Sequence, residues 1–185
     1  MGDTCDGWPR VFVENRLKNT KYVLPTASSI PVSLNNGMVM PAWFDKSFDN
    51  QVVTQSLEPS LNDIRNLIKS QLEQHPELSE DDVILGGFSQ GGAIALQVGL
   101  QYQPSISKII ALSTYIPDKE KIKVNFKGKL FVGHGTVDPV VDFTKGEETV
   151  NFLKSHQLDC EFRTYYMMHE IDDEEIQHVN KFIKS

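Results

Sequence analysis

Gly87-Phe88-Ser89-Gln90-Gly91 sets a serine in G-x-S-x-G spacing, with the apolar run Val83-Ile84-Leu85 before it and a helical pattern after it. Strand, sharp turn and helix in that order form the context in which such a serine works as a nucleophile. Flanking glycines keep side chains out of a turn that has no room for them, and the hydroxyl then projects above the sheet. The N-terminus of the following helix favours the negative charge that develops when the serine attacks a carbonyl. A glycine-rich turn with a solvated serine has the same letters. A base and an acid to orient it must decide between the two.

Five histidines compete for the role of base. His75, His156 and His178 fall within or at the ends of helical patterns and read as surface residues. His134 follows the run Leu130-Phe131-Val132-Gly133 but precedes every good acid on its own loop, against the chain order serine, acid, histidine that such sheets impose. His169, in Met167-Met168-His169-Glu170, lies after the last strand pattern and before the last helix. It is the base by position. For the acid, Asp138 in Gly135-Thr136-Val137-Asp138-Pro139 sits just past a strand. Asp142 belongs to the next helix start, and Asp118 is the runner-up on the preceding loop. An Asp-Pro turn initiator is the plain alternative for Asp138. Three residues in that order on three strand-end loops outweigh it.

The elements that must position these residues are legible from about residue 80 onward. Val83-Ile84-Leu85, Ile109-Ile110-Ala111-Leu112, Leu130-Phe131-Val132 and residues 162–166 read as strands. Helical patterns cover residues 91–103, 144–156 and the C-terminal stretch, where Ile176, Val179 and Ile183 recur at i, i+3 and i+7. Short continuous apolar strands with helices between them predict a parallel sheet covered on both faces, an α/β protein. The acidic stretch 170–175 reads as a solvated helix start. The first 80 residues are less regular. Residues 8–17 suggest a short helix with Pro9 in its first turn, and Tyr22-Val23-Leu24 a short strand stopped by Pro25. Residues 25–50 read as a long loop punctuated by Met38, Met40, Trp43 and Phe44. Leu61, Ile64, Leu67, Ile68 and Leu72 then mark an amphipathic helix ending before Pro76.

Composition bounds the rest. A chain of 185 residues with 39% hydrophobic and 23% charged residues is ordinary globular material of one domain's length. Its net charge of −7 argues against nucleic acid or an anionic membrane surface as the main partner. No stretch approaches the ~20 apolar residues of a spanning helix, and the first residues carry no signal-peptide pattern. Two distant cysteines, Cys5 and Cys160, read as free thiols of a reduced, cytoplasmic protein and build no metal site.

Taken together, these segments resemble the acyl-protein thioesterase/lysophospholipase group of α/β-hydrolases, the phospholipase/carboxylesterase family. Gly86-Gly87-Phe88-Ser89-Gln90-Gly91-Gly92-Ala93 is similar to that group's elbow, and Gly2-Asp3-Thr4 with Gly7-Trp8 to the segment after its His-Gly oxyanion loop. Met40-Pro41-Ala42-Trp43-Phe44-Asp45 resembles its Pro-x-Trp-Phe-Asp segment. His134-Gly135-Thr136-Val137-Asp138-Pro139-Val140-Val141 is similar to its acid loop, and Met168-His169 to its base loop. The resemblance runs over essentially the whole chain. It implies an α/β-hydrolase fold, a mostly parallel sheet with helices on both faces, over a single domain of residues 1–185. It implies a serine hydrolase that cleaves long-chain acyl (palmitoyl) thioesters from proteins, with lysophospholipids or other carboxylic esters as further substrates. Ser89, Asp138 and His169 would be its triad, with the backbone N–H of Gln90 as one oxyanion donor. Met40, Trp43 and Phe44 would line an acyl channel, the plain alternative being a loop tucked onto the core by its own large residues. No cofactor or metal is implied. The partners implied are S-acylated proteins or acyl lipids, with peripheral membrane contact arising through the substrate.

One departure stands out. In the family an apolar strand ending in His-Gly precedes Gly-Asp-Thr and lies beside the elbow strand, whereas this sequence opens with Met1 at that point. The expectation is an N-terminally truncated domain whose sheet lacks that strand, unless Tyr22-Val23-Leu24 closes the gap against the elbow strand. The second oxyanion donor then falls to the backbone of Met1 or Gly2. The rival expectation is a catalytically impaired form that binds acyl chains or a partner without turnover.

Overall fold

The apolar runs near residues 84, 109 and 130 become neighbouring strands because they carry no polar side and must be covered on both faces. In the computed structural model, which describes residues 1–8, 16–47, 51–103 and 105–185, ten longer elements follow in order. They are β1 (Ser29–Val32), β2 (Met38–Pro41), α1 (Thr54–Gln74), β3 (Ile84–Phe88), α2 (Gln90–Gln101), β4 (Lys108–Leu112), β5 (Lys129–Gly135), α3 (Phe143–Ser155), β6 (Asp159–Tyr165) and α4 (Asp173–Lys184). The main sheet is parallel throughout, in the order β3-β4-β5-β6. Among the described residues β3 has β4 as its ladder partner and no strand on its other side.

Alternation along each strand separates two layers. Ile109, Ala111, Leu130 and Val132 face α2 and α3, where they meet Leu96, Leu100, Val150 and Leu153. Ile110, Leu112 and Phe131 face the other way and pack under Val179 and Phe182 of α4. Outside α2 lies α1, whose Leu57, Leu61, Ile64 and Ile68 form a stripe at i, i+4, i+7 and i+11 against Ala93, Ile94 and Val98. Lying between the sheet and α1, α2 is buried on nearly every side.

Three expectations for the first 80 residues change. Tyr22-Val23-Leu24 runs outside any ladder. Val23 is exposed and the Tyr22 hydroxyl accepts the Leu17 N–H at 3.2 Å. Three residues ahead of a proline, with no strand beside them, offer too few ladder bonds to hold. Within residues 25–50, β1 and β2 form an antiparallel hairpin with Ser29 opposite Pro41 and Val32 opposite Met38. Pro31 and Pro41 hid these strands, since proline belongs only at sheet edges. Asn36-Gly37, both with positive φ (54° and 76°), is the turn signal that reveals them. The helix expected from Leu61 starts at Thr54 and runs through Pro59, which reads as a boundary in sequence. The helix expected over residues 8–17 falls chiefly on 9–15, outside the described residues.

Candidate active site

Ser89 sits between β3 and α2 with φ 53° and ψ −121°, a conformation that a residue with a side chain rarely adopts. The turn is held from both sides. Ser89 donates its N–H to the Leu112 carbonyl at 2.9 Å, and its own carbonyl accepts from the Thr114 hydroxyl at 2.6 Å and the Ala93 N–H at 3.1 Å. Glycine is required at 87, where a Cβ would run into the backbone of Gly91 and Gly92. Such a turn forces the Ser89 side chain outward at the C-terminal edge of the sheet.

Asp138 and His169 arrive on the loops after β5 and β6. These loops are laced together, with Thr136 N–H on the Tyr165 carbonyl at 2.8 Å and Val137 N–H on the Met167 carbonyl at 3.3 Å. The Asp138 side chain is fully buried and that of His169 largely so. Asp138 Oδ1 accepts the N–H groups of Val140 and Val141, each at 2.8 Å, and Oδ2 lies 2.7 Å from His169 Nδ1. A carboxylate only accepts, so Nδ1 carries the hydrogen and Nε2 presents a lone pair. That lone pair is 2.9 Å from Ser89 Oγ. The result is one line of hydrogen bonds from serine through imidazole to carboxylate, able to draw the proton from the serine hydroxyl as it attacks. Phe88 packs on the His169 ring with centroids 4.6 Å apart, and Trp8 on Phe88 at 5.6 Å.

The competing residues are occupied elsewhere. Asp142 caps α3 through Thr144, and Asp118 pairs with Lys121 at 2.8 Å. His75 and His156 cap the ends of α1 and α3, and His178 faces the Tyr165 hydroxyl. Both cysteines are free thiols, and burial raises the Cys160 thiol to about 11.

The residues expected to line an acyl channel divide. Phe44 is wholly buried in the core between α1 and α2, so it packs the interior and lines no open groove. Trp43 is half-buried beside the elbow, its indole Nε1 within van der Waals reach of a Cβ at Gly91. Met40 lies on β2, its sulfur 3.2 Å from the Asn35 amide nitrogen. The Gly2 N–H is donated to the Pro41 carbonyl at 2.7 Å, which takes it out of the role of second oxyanion donor.

Two further features had no signal in the sequence. The Gln90 side chain accepts the Trp43 N–H at 3.0 Å and donates to the Phe44 carbonyl at 2.7 Å, tying the segment after the hairpin to the first residue of α2. Glu175, in the acidic stretch expected to be solvated, is wholly buried against Gly133 of β5, and neither carboxyl oxygen has a hydrogen-bond partner among the described residues. Burial, with a smaller contribution from the charge of Asp172, raises its pKa to about 8. The partners of Gln90 lie more than 40 residues upstream, and the cover over Glu175 comes from another strand. No group of three or more His, Cys, Asp or Glu suited to a metal ion occurs among the described residues.

Known proteins resemble this chain in both sequence and architecture. A family model described as Phospholipase/Carboxylesterase matches residues 1–185. Acyl-protein thioesterase 1 of Candida albicans is 36% identical over 203 residues, spanning 100% of this chain and 88% of that protein. The crystal structure of Arabidopsis thaliana SOBER1 superimposes with a TM-score of 0.88 at 25% identity, over 99% of this chain and 93% of the other. That of Zea mays acyl-protein thioesterase 2 gives 0.82 at 27% identity, over 99% and 88%.

Proposed function

Since the chain belongs to the phospholipase/carboxylesterase family of α/β-hydrolases, we propose that it hydrolyses long-chain acyl thioesters on proteins, with Ser89, His169 and Asp138 as its catalytic residues. Acyl lipids and other carboxylic esters are further substrates of the same chemistry. The observation that carries this reading is the continuous Ser89–His169–Asp138 hydrogen-bond line on three strand-end loops.

Ser89 Oγ attacks the thioester carbonyl carbon while His169 Nε2 takes its proton. Asp138 keeps the imidazole in the tautomer that can accept it and faces the imidazolium that forms. Negative charge collects on the former carbonyl oxygen, where the Gln90 N–H at the start of α2 donates to it and the helix dipole favours it. The carbon–sulfur bond then breaks and the leaving sulfur takes the proton from His169. Water attacks the acyl-serine by the same route in reverse, returning Ser89 and releasing the fatty acid. Thiolate is a good leaving group, so proton delivery matters less here than in amide cleavage. Trp43 offers apolar surface beside the elbow for the acyl chain, and Met40 on β2 extends it, the kind of surface a long hydrocarbon needs.

The test is covalent. A fluorophosphonate probe should add one adduct to the folded protein, located at Ser89 by peptide mass, and Ser89→Ala should abolish both the adduct and thiol release from a palmitoylated peptide. A folded protein that takes no adduct at Ser89 would sink the proposal.

A further inference from the structure

We infer that His134, a second buried imidazole that takes no part in the proton transfer, is a positioning residue that holds the Asp138 carboxylate in line with His169 by fixing Val141. His134 is wholly buried on the α3 side of β5. Its Nε2 lies 2.9 Å from the Val141 carbonyl, which only accepts, so Nε2 carries the hydrogen and donates. The other ring nitrogen, Nδ1, has no hydrogen-bond partner among the described residues and looks onto Gly146 of α3, where a Cβ would stand 2.6 Å away. The pocket therefore admits one tautomer, and glycine at 146 makes the space for the ring.

Val141 is held at both its polar groups. Its carbonyl takes the His134 hydrogen, and its N–H is one of the two that Asp138 Oδ1 accepts. Asp138 Oδ2 is 3.8 Å from His134 Nε2, too far for a hydrogen bond, so His134 leaves that oxygen to His169. Its influence runs through the backbone, from Val141 to Asp138 to His169 to Ser89. Val140, at the outer end of this loop, is 64% exposed, so little packing restrains the loop from outside. A histidine that only filled space would make no such connection.

This inference rests on Ser89 being the nucleophile, so turnover is counted per serine labelled by the fluorophosphonate probe. His134→Leu fills the space without a donor, while His134→Gln offers an amide N–H at the position of Nε2. His134→Leu should lower kcat per labelled serine about tenfold or more, with KM within about twofold of the wild type. His134→Gln should recover most of that loss. Equal kcat per labelled serine in His134→Leu and wild type overturns the inference, as does equal impairment of the Leu and Gln variants, which would mean packing alone. If His134→Leu does not fold, the imidazole nitrogen-15 spectrum of the wild-type protein decides. The Nε2–H tautomer at His134 is expected, and an Nδ1–H tautomer refutes the inference. A wild-type protein that takes no label is a distinct result, because it overturns the nucleophile itself.

Discussion

Holding Ser89 at φ 53° costs on the order of 1–3 kcal/mol, and the bonds to Leu112 and Thr114 are what keep the turn from relaxing. The same local logic makes Asp138 sensitive to a change of one atom. In Asp138→Asn the amide group facing His169 Nδ1 donates, so the ring must put its hydrogen on Nε2 and no longer presents a lone pair to Ser89 Oγ. We expect kcat to fall by about 10⁴ with little change in KM, measured by steady-state thioester hydrolysis. A second prediction concerns Glu175, whose folded-state pKa is raised to about 8 by burial and the nearby Asp172 charge. The carboxyl at 175 is covered by Gly133, and Tyr165 on β6 also senses its charge. The folded protein keeps this proton up to about pH 8, whereas the unfolded chain releases it near the ordinary value of 4.5. Between those limits the folded state binds more protons, so this group lowers stability as pH rises, and adds no further change above pH 8. Glu175→Gln stays neutral throughout. Its melting temperature should exceed that of wild type by a margin that widens from pH 5 to pH 8, and a margin constant with pH would refute the assignment.

Between elements, the decisive joint links the hairpin segment to the elbow helix. Asp45 accepts the Ser33 N–H at 2.8 Å and the Ser33 hydroxyl at 2.6 Å, anchoring the segment after β2 to the turn of the hairpin. Burial works to raise the Asp45 carboxyl, but these bonds and the Lys46 N–H bring it below its ordinary value. Ser60 of α1 donates its hydroxyl to the Trp43 carbonyl, and Gln90 holds the Trp43 N–H and the Phe44 carbonyl. Gln90→Leu keeps the bulk and leaves two partly or fully buried backbone groups unpaired, at a cost of about 2–4 kcal/mol. The denaturation midpoint should drop accordingly. KM for long-chain thioesters should rise more than for short ones, because Trp43 beside Ser89 then keeps only the Ser60 bond to its carbonyl. An unchanged midpoint and unchanged chain-length preference would show that Gln90 does not hold this segment.

At the scale of the whole molecule, one sheet joins the hydrophobic layers. Val83 and Leu85 pack against both the α2–α3 layer and the α1–α2 layer, while Ile84 and Phe88 of the same segment reach the α4 side. Layers sharing a strand cannot melt separately without exposing that strand, so residues 1–185 should unfold as one cooperative unit. Thermal melts followed by far-UV dichroism and by near-UV tryptophan signal should coincide, and two separated transitions would exclude a single domain. No described helix is long and apolar enough to cross a membrane. With a net charge of −7, the protein as a whole is not drawn to an anionic surface.

Sequence alone determined the parallel strands, the turn at Ser89 and the placement of Ser89, Asp138 and His169 on strand-end loops, because each is written in contiguous or periodic residues. Strands buried on both faces show as unbroken apolar runs, and the glycines of G-x-S-x-G mark a turn with no room for side chains. Tertiary structure decided everything that depends on a partner far along the chain. Phe44 reads like a channel residue but closes the core, since Leu57, Leu61, Ala93 and Val98 surround it. Glu175 reads like a solvated helix start, yet the turn it occupies lies against β5, so its carboxyl is buried. His134 fails the chain order expected of a base, and only its approach to Val141 reveals a connection to Asp138. Local spacing specifies which groups can react. Burial and hydrogen-bond reach, which depend on segments dozens of residues apart, determine which of them are free to do so.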